Sequence, residues 1–141
     1  GAPARTEQVE VKGRVLGITA ANGVARASFE ALCARPLGAA DYLALTQRFH
    51  TLVLEGIPRM GPDHATEARR FVTLIDALYE AKAKLVCSAA GSPRELYTDG
   101  EGVFEFERLV SRLMEMQSAE YLRLAHRLRG ANSAWDPLAV P

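Results

Sequence analysis

Two polar residues follow apolar stretches of this chain at the positions where strands of a sheet would end. Glu55 comes directly after the apolar run at 51–54, and Ser88 comes directly after a second run at 84–87. In open α/β sheets the reactive groups collect beyond the carboxyl ends of the strands, so both side chains are expected at one edge. A carboxylate there can serve a metal ion and a hydrolytic water during phosphoryl transfer. A solvated carboxylate in a turn explains Glu55 at least as well.

Arg108 and Arg112 are four positions apart, so they share one face of a predicted helix. An arginine presented across a subunit boundary can stabilise charge on a transferring phosphoryl group and raise the rate by roughly 10³ to 10⁵. The alternative is a pair of surface arginines that bind Glu105, Glu107 or Glu115 and contribute little. The sequence leaves both interpretations open.

Several motifs that would define an enzyme are missing. The sequence has no Gly-x-x-x-x-Gly-Lys-Ser/Thr, so the chain alone is not expected to bind or hydrolyse ATP. His50, His64 and His126 lack the spacing of metal ligands, and no metal site is predicted. A complete small enzyme that uses Cys87 or Glu55 is the less favoured reading, because Cys87 ends a strand predicted to be buried and has no base beside it.

The composition predicts one compact domain of a cytoplasmic protein. The chain has 141 residues, 48% of them apolar, which suffices for a core. Its 17 basic and 17 acidic residues cancel, which disfavours nucleic acid as a partner. Two distant cysteines, Cys33 and Cys87, indicate a reducing compartment, and no apolar run approaches the ~20 residues of a membrane span. We interpret residues 1–6 as a linker or tag remnant, 7–129 as a single α/β domain and 130–141 as a flexible tail.

The pattern of elements predicts an α/β fold with a small parallel sheet. Alternating apolar residues and the Asn22-Gly23 pair indicate an N-terminal antiparallel meander, followed by a short helical turn capped by Ser28 and a helix over residues 39–49. The runs at 51–54 and 84–87 flank a helix over residues 66–81, which makes a strand-helix-strand unit with a right-handed crossover. Asp63 or Thr66 would cap that helix.

A long C-terminal helix follows from the apolar rhythm between Phe106 and Leu128, with Ser118 as a residue that could cap a break within it.

Five segments are similar, in register, to one protein family: residues 35–43 (RPLGAADYL), 57–60 (IPRM), 67–71 (EARRF), 74–80 (LIDALYE) and 111–118 (SRLMEMQS). Together they resemble the C-terminal portion of the ZapE/AFG-like ATPases, which are P-loop ATPases with an AAA-type core. The likeness extends from about Glu7 to Tyr121.

The resemblance implies an ATPase that uses ATP and Mg²⁺ in its full-length form, with the phosphate loop and the main metal-binding acids upstream of this region. Arg112 would match an arginine finger, Ser88 would neighbour a sensor position and Glu55 would stand near the metal-acid position; Gly56 and Ala89 depart from the expected pattern. The implied partners are the rest of the same chain, further copies in a homo-oligomer, and a division-ring or translocase protein. The alternative is a non-catalytic interaction module that binds such a partner through a helical face.

Overall fold

The computed structural model describes residues 5–7, 10–11, 14–15 and 18–124, so the predictions on the flexible tail and on His126 lie outside the described residues. The helices are α1 (Phe29–Cys33), α2 (Ala39–Arg48), α3 (Ala65–Glu80), α4 (Val103–Glu115) and α5 (Ala119–Arg123). The strands are β1 (Arg5–Glu7), β2 (Glu10–Val11), β3 (Arg14–Val15), β4 (Ile18–Ala21), β5 (Val24–Ser28), β6 (Thr51–Ile57) and β7 (Lys84–Ala89).

A five-stranded sheet with the order β1-β4-β5-β6-β7 forms the centre of the fold, and β2 pairs with β3 separately. Strand β4 runs antiparallel to both of its neighbours, β1 and β5, while β5, β6 and β7 run parallel. The predicted α/β class, with an antiparallel N-terminal part and a parallel strand-helix-strand unit, is confirmed. Asn22 and Gly23 join β4 to β5 with φ of 54° and 81°, the conformation that an Asn-Gly hairpin turn requires.

The helices that connect the parallel strands lie on one face of the sheet. The strand order advances from β5 to β6 to β7 without reversal, and right-handed crossovers in a single direction place their helices on the same side. Burial agrees with this geometry, because Ala25, Ala27, Leu52 and Leu54 are buried while the side chains that alternate with them are partly or fully exposed.

Helix α3 forms the centre of the helical layer. Its predicted apolar stripe is buried as expected, and α3 packs against both α2 and α4. The stripe consists of Ala68, Phe71, Leu74, Ile75 and Leu78. The predicted cap is wrong: α3 begins at Ala65 directly after a 3₁₀ turn (Pro62–His64) and has no side-chain cap from Asp63 or Thr66. A preceding turn already fixes the direction of the chain there, so a capping side chain is not needed to start the helix.

Two expectations about the parallel strands are corrected. Strand β6 does not end before Glu55 but continues to Ile57 through a bulge, where Gly56 adopts a φ of 77°. Strand β7 is not buried, because it lies at the edge of the sheet and its residues from Val86 onward are exposed. An apolar run predicts a strand, but whether that strand is buried depends on the neighbouring strands and helices that cover it.

The C-terminal part is two helices and not a single long one. Helix α4 ends at Glu115, and Ser118 caps α5 by accepting a hydrogen bond from the amide of Tyr121 at 3.1 Å. The predicted break at Ser118 is therefore confirmed, as is the cap at Ser28 on α1.

A buried lysine fastens α5 to the sheet. The Lys84 ammonium group donates hydrogen bonds to the carbonyl oxygens of Tyr121 at 3.2 Å and Leu124 at 2.7 Å, and it lies over the Tyr121 ring. Carbonyls in the last turn of a helix can accept a side-chain donor, so the buried charge is placed where acceptors are available.

Candidate functional site

The polar residues at the carboxyl ends of β6 and β7 lie together, as the sequence predicts. The amide of Gly56 donates a hydrogen bond to the Ser88 Oγ at 3.0 Å, which joins the bulge of β6 to β7. The Glu55 carboxylate lies 3.6 Å from the Arg26 Nε on β5, and both side chains are more than half exposed. An exposed pair of this kind contributes at most about 1 kcal/mol to stability.

Among the described strands, this edge lacks the reversal of strand order at which nucleotides bind in doubly wound sheets. A binding crevice forms where the strand order reverses, and the described parallel strands advance in one direction only. Glu55 and Ser88 therefore occupy the expected edge, but the described residues do not enclose a ligand site around them. Within residues 18–124, no group of three or more His, Cys, Asp or Glu side chains could hold a metal ion.

The two arginines of α4 converge on a single carboxylate of α3. The Arg108 Nη2 lies 3.0 Å from the Asp76 Oδ2, and the Arg112 Nη1 lies 2.6 Å from the Asp76 Oδ1. The Arg112 guanidinium also lies 4.6 Å from the centre of the Tyr79 ring, a cation–π contact. The Tyr79 hydroxyl donates to the Glu115 carboxylate, which raises the pKa of the tyrosine.

The acid that pairs with both arginines is one that sequence reasoning missed. The ion-pair alternative named Glu105, Glu107 and Glu115 on the same helix, whereas the partner is Asp76, which lies 36 positions before Arg112. Its signal in the sequence is weak: an acidic residue that directly follows two core residues of α3 and so lies at the border of the buried stripe.

The two arginines differ in how available they are to a ligand. The Arg112 side chain is 24% exposed and is held by both Asp76 and Tyr79, whereas the Arg108 side chain is 47% exposed. Arg108 is therefore the guanidinium that can reach an added phosphate with less rearrangement. Arg112 is the one whose loss should disturb the packing of α4 on α3.

Arg108 also borders a cleft of about 330 Å³ between α3 and α4. Asp76 and Arg69 line the same cleft, and its apolar part includes Val72 and Tyr97. Arg69 is exposed. Glu101 and Glu105 complete the charged lining, so the cleft has mixed charge.

The remaining reactive residues have structural explanations. Cys33 is buried, and burial raises the pKa of its thiol to about 12. Cys87 is exposed, contrary to the prediction that it belongs to the core, because β7 is an edge strand. The His50 ring is hydrogen-bonded to the Thr51 Oγ1 at 2.8 Å and to the Asn22 carbonyl at 3.2 Å, so it supports the hairpin.

Comparison with known proteins places the chain in a class, because the family model for AFG1-like ATPases matches residues 1–125. The chain belongs to the AFG1-like ATPase family. No solved structure matches it significantly. No helix in the described part of the chain combines the length and apolar character needed to cross a membrane.

Three relatives from distant organisms share this region. The chain is 46% identical over 99 residues to the cell division protein ZapE of Escherichia coli (strain K12), a match that covers 70% of this chain and 26% of that protein. It is 33% identical over 149 residues to the uncharacterized protein C115.02c of Schizosaccharomyces pombe, which covers 85% and 33% of the two chains. It is 31% identical over 150 residues to lactation elevated protein 1 homolog B of Danio rerio, covering 83% and 30%. The chain thus spans about a quarter to a third of these relatives.

Proposed function

We propose that this chain is the C-terminal region of an AFG1-like ATPase, that it completes the ATPase domain, and that an arginine of α4 assists ATP hydrolysis. The family match over residues 1–125 supports the first part, together with the absence of a phosphate loop from a chain that spans only part of its relatives. The full-length protein would then use ATP and Mg²⁺ through upstream residues, and this chain alone would be inactive.

The exposure of Arg108 carries the proposal for the arginine. A guanidinium that acts on a transferring phosphoryl group has to be accessible to the nucleotide, and Arg108 remains half exposed although it is paired with Asp76. In this proposal the nucleotide is bound by a neighbouring copy in a homo-oligomer or by the upstream part of the same polypeptide. Glu55 and Ser88 would contribute at the carboxyl edge of the sheet only when that part is present.

The test is ATP turnover of the full-length protein. Arg108→Ala is expected to lower turnover more than tenfold with an unchanged urea midpoint, because its side chain is half exposed. Arg112→Ala is expected to lower turnover as well, but with a measurable loss of stability. Arg123→Ala, an exposed arginine on α5, is the matched control and should have wild-type activity. Wild-type turnover in Arg108→Ala and Arg112→Ala would remove the α4 arginines from the mechanism.

A non-catalytic interaction module is the second candidate, and the surface of α4 favours it. Phe104 is 83% exposed at the start of this helix, and Met114 is exposed near its end. Exposed apolar side chains on a helix can serve as anchors in a groove of a partner protein. The partner would be a division-ring protein or a translocase, and the setting would be cytoplasmic cell division or protein quality control; the bacterial relative is a cell division protein.

A pull-down with a division-ring or translocase protein separates the two candidates. A partner that the full-length protein retains without nucleotide, and that Phe104→Ser releases, would support the interaction module. Retention that requires ATP and is unchanged in Phe104→Ser would count against it.

A further inference from the structure

The sheet has one face that the described helices leave uncovered. Thr19, Arg26, Val53 and Val86 lie opposite one another in register across β4, β5, β6 and β7, and their side chains point away from the helical layer. We call this row the open face. Arg26 is exposed, Thr19 and Val53 are half-buried, and Val86 is 59% exposed.

An uncovered face is unusual for the parallel part of a sheet. Sheets whose strands run parallel occur almost only with both faces covered, and their strands are apolar on both sides for that reason. Val53 on the central parallel strand and Val86 on the edge strand fit this pattern, since both are β-branched apolar residues on the side without helices. At Val53 and Val86 the sequences of β6 and β7 thus match a sheet that is covered on both faces.

The charge of the open face indicates which kind of partner surface could cover it. Arg26 is paired with Glu55, which lies on the same side of the sheet one row further on, so the polar groups are close to neutral as a pair. Threonine and valine make up the rest of the row. A nearly neutral, partly apolar surface suits packing against another folded protein surface and gives no attraction to polyanions.

We propose that the open face docks against the upstream, phosphate-binding part of the same polypeptide. This inference rests on the proposed function, because it requires that this chain is one region of a longer ATPase. The matched regions amount to 26% to 33% of the relatives, so most of their length lies elsewhere and is available to cover the sheet. Docking there would also bring that part of the protein against Glu55 and Ser88 at the carboxyl edge.

Photo-crosslinking in the full-length protein tests whether the upstream part of the polypeptide covers the open face. Benzoylphenylalanine replaces Val86 on the open face and, as the matched control, Leu43, an exposed apolar residue of α2. The expected result for Val86 is an intramolecular product whose second site, found by mass spectrometry, lies upstream of this chain. A product with the mass of a dimer, a second site within residues 1–17 or 125–141, or no more product than at Leu43 would overturn the proposal.

Cysteine labelling provides a second test if the bulky benzoylphenylalanine variant does not fold. In a full-length protein with Cys87→Ser, a Val86→Cys variant is expected to react with iodoacetamide at least tenfold more slowly than a Leu43→Cys variant. Equal rates would overturn the docking proposal. Failure of this inference is distinguishable from failure of the proposed function, because ATP turnover in Arg108→Ala does not depend on what covers Val86.

Discussion

Replacement of Asp76 should reveal how much of the α3–α4 packing depends on one carboxylate. Asp76→Ala removes the acceptor for both Arg108 and Arg112 and leaves two guanidinium groups without their acidic partner. Because Arg112 is only 24% exposed, its charge is not fully hydrated after the change. We therefore expect a loss of folding free energy that exceeds that of an ordinary surface substitution.

The expected magnitude follows from the two contacts. A hydrogen bond between charged groups contributes about 1.5 to 3 kcal/mol, and the lower end applies to Arg112 because the pair is partly solvated. The Arg108 pair is half exposed and adds at most a few tenths of a kcal/mol, roughly the value of exposed pairs. The total is about 2 kcal/mol. With a urea dependence of about 2 kcal/mol per molar, the unfolding midpoint falls by about 1 M.

Urea unfolding of Asp76→Ala, Arg112→Ala and the double variant measures this effect, with the exposed Asp99→Ala as the control that should change little. If the pair acts as a unit, the double variant loses about as much free energy as either single one. Strictly additive losses, or a change below about 0.5 kcal/mol in Asp76→Ala, would refute the reasoning, since the latter is the range of ordinary surface substitutions. A change that small would also mean that the pairing of Arg112 with Asp76 does not stabilise the packing of α4 on α3.

Three further predictions concern the hairpin, the buried histidine and the cysteines. Gly23→Ala should destabilise the chain by about 1 to 3 kcal/mol in urea unfolding, because φ is 81° and the new Cβ would lie 2.6 Å from the His50 ring; Gly38→Ala, with open space around it, should change little. Burial lowers the pKa of His50 below its usual 6.5, so the unfolded state binds more protons and stability should fall as the pH drops below about 6.5. A His50→Gln variant should show a smaller drop between pH 7.5 and 5.5, and an equal drop would contradict the assignment. Iodoacetamide at pH 8 should modify the exposed Cys87 but leave Cys33 unmodified until the chain unfolds, as peptide mass spectrometry would show.

Local signals in the sequence predict local structure well in this chain. The Asn22-Gly23 turn, the caps at Ser28 and Ser118 and the buried stripe of α3 all depend on residues within a few positions of each other, and the structure confirms them. The edge at which Glu55 and Ser88 lie was predictable for the same reason, because each residue directly follows its own apolar run and lies near the carboxyl end of its strand.

The features that sequence reasoning missed depend on contacts between distant parts of the chain. The exposure of β7 follows from its place at the edge of the sheet, which its apolar residues do not encode. The pairing of Asp76 with Arg112 depends on how α4 crosses α3, and nothing near either residue specifies the other. The roles assigned to Glu55, Ser88, Arg108 and Arg112 at a nucleotide stay predictions.

The hydrogen bonds from Lys84 to the end of α5 have a consequence for synthesis on the ribosome. The lysine emerges well before its acceptors at Tyr121 and Leu124, which follow 37 and 40 positions later. Until α5 is made, the ammonium lacks these two acceptors and stays in contact with water, because a buried cation with incomplete hydrogen bonding is strongly disfavoured. In a nascent chain that stalled before Ala119, Lys84 at the start of β7 would therefore stay hydrated and incompletely packed. Synthesis of α5 would allow this end of the strand to become buried.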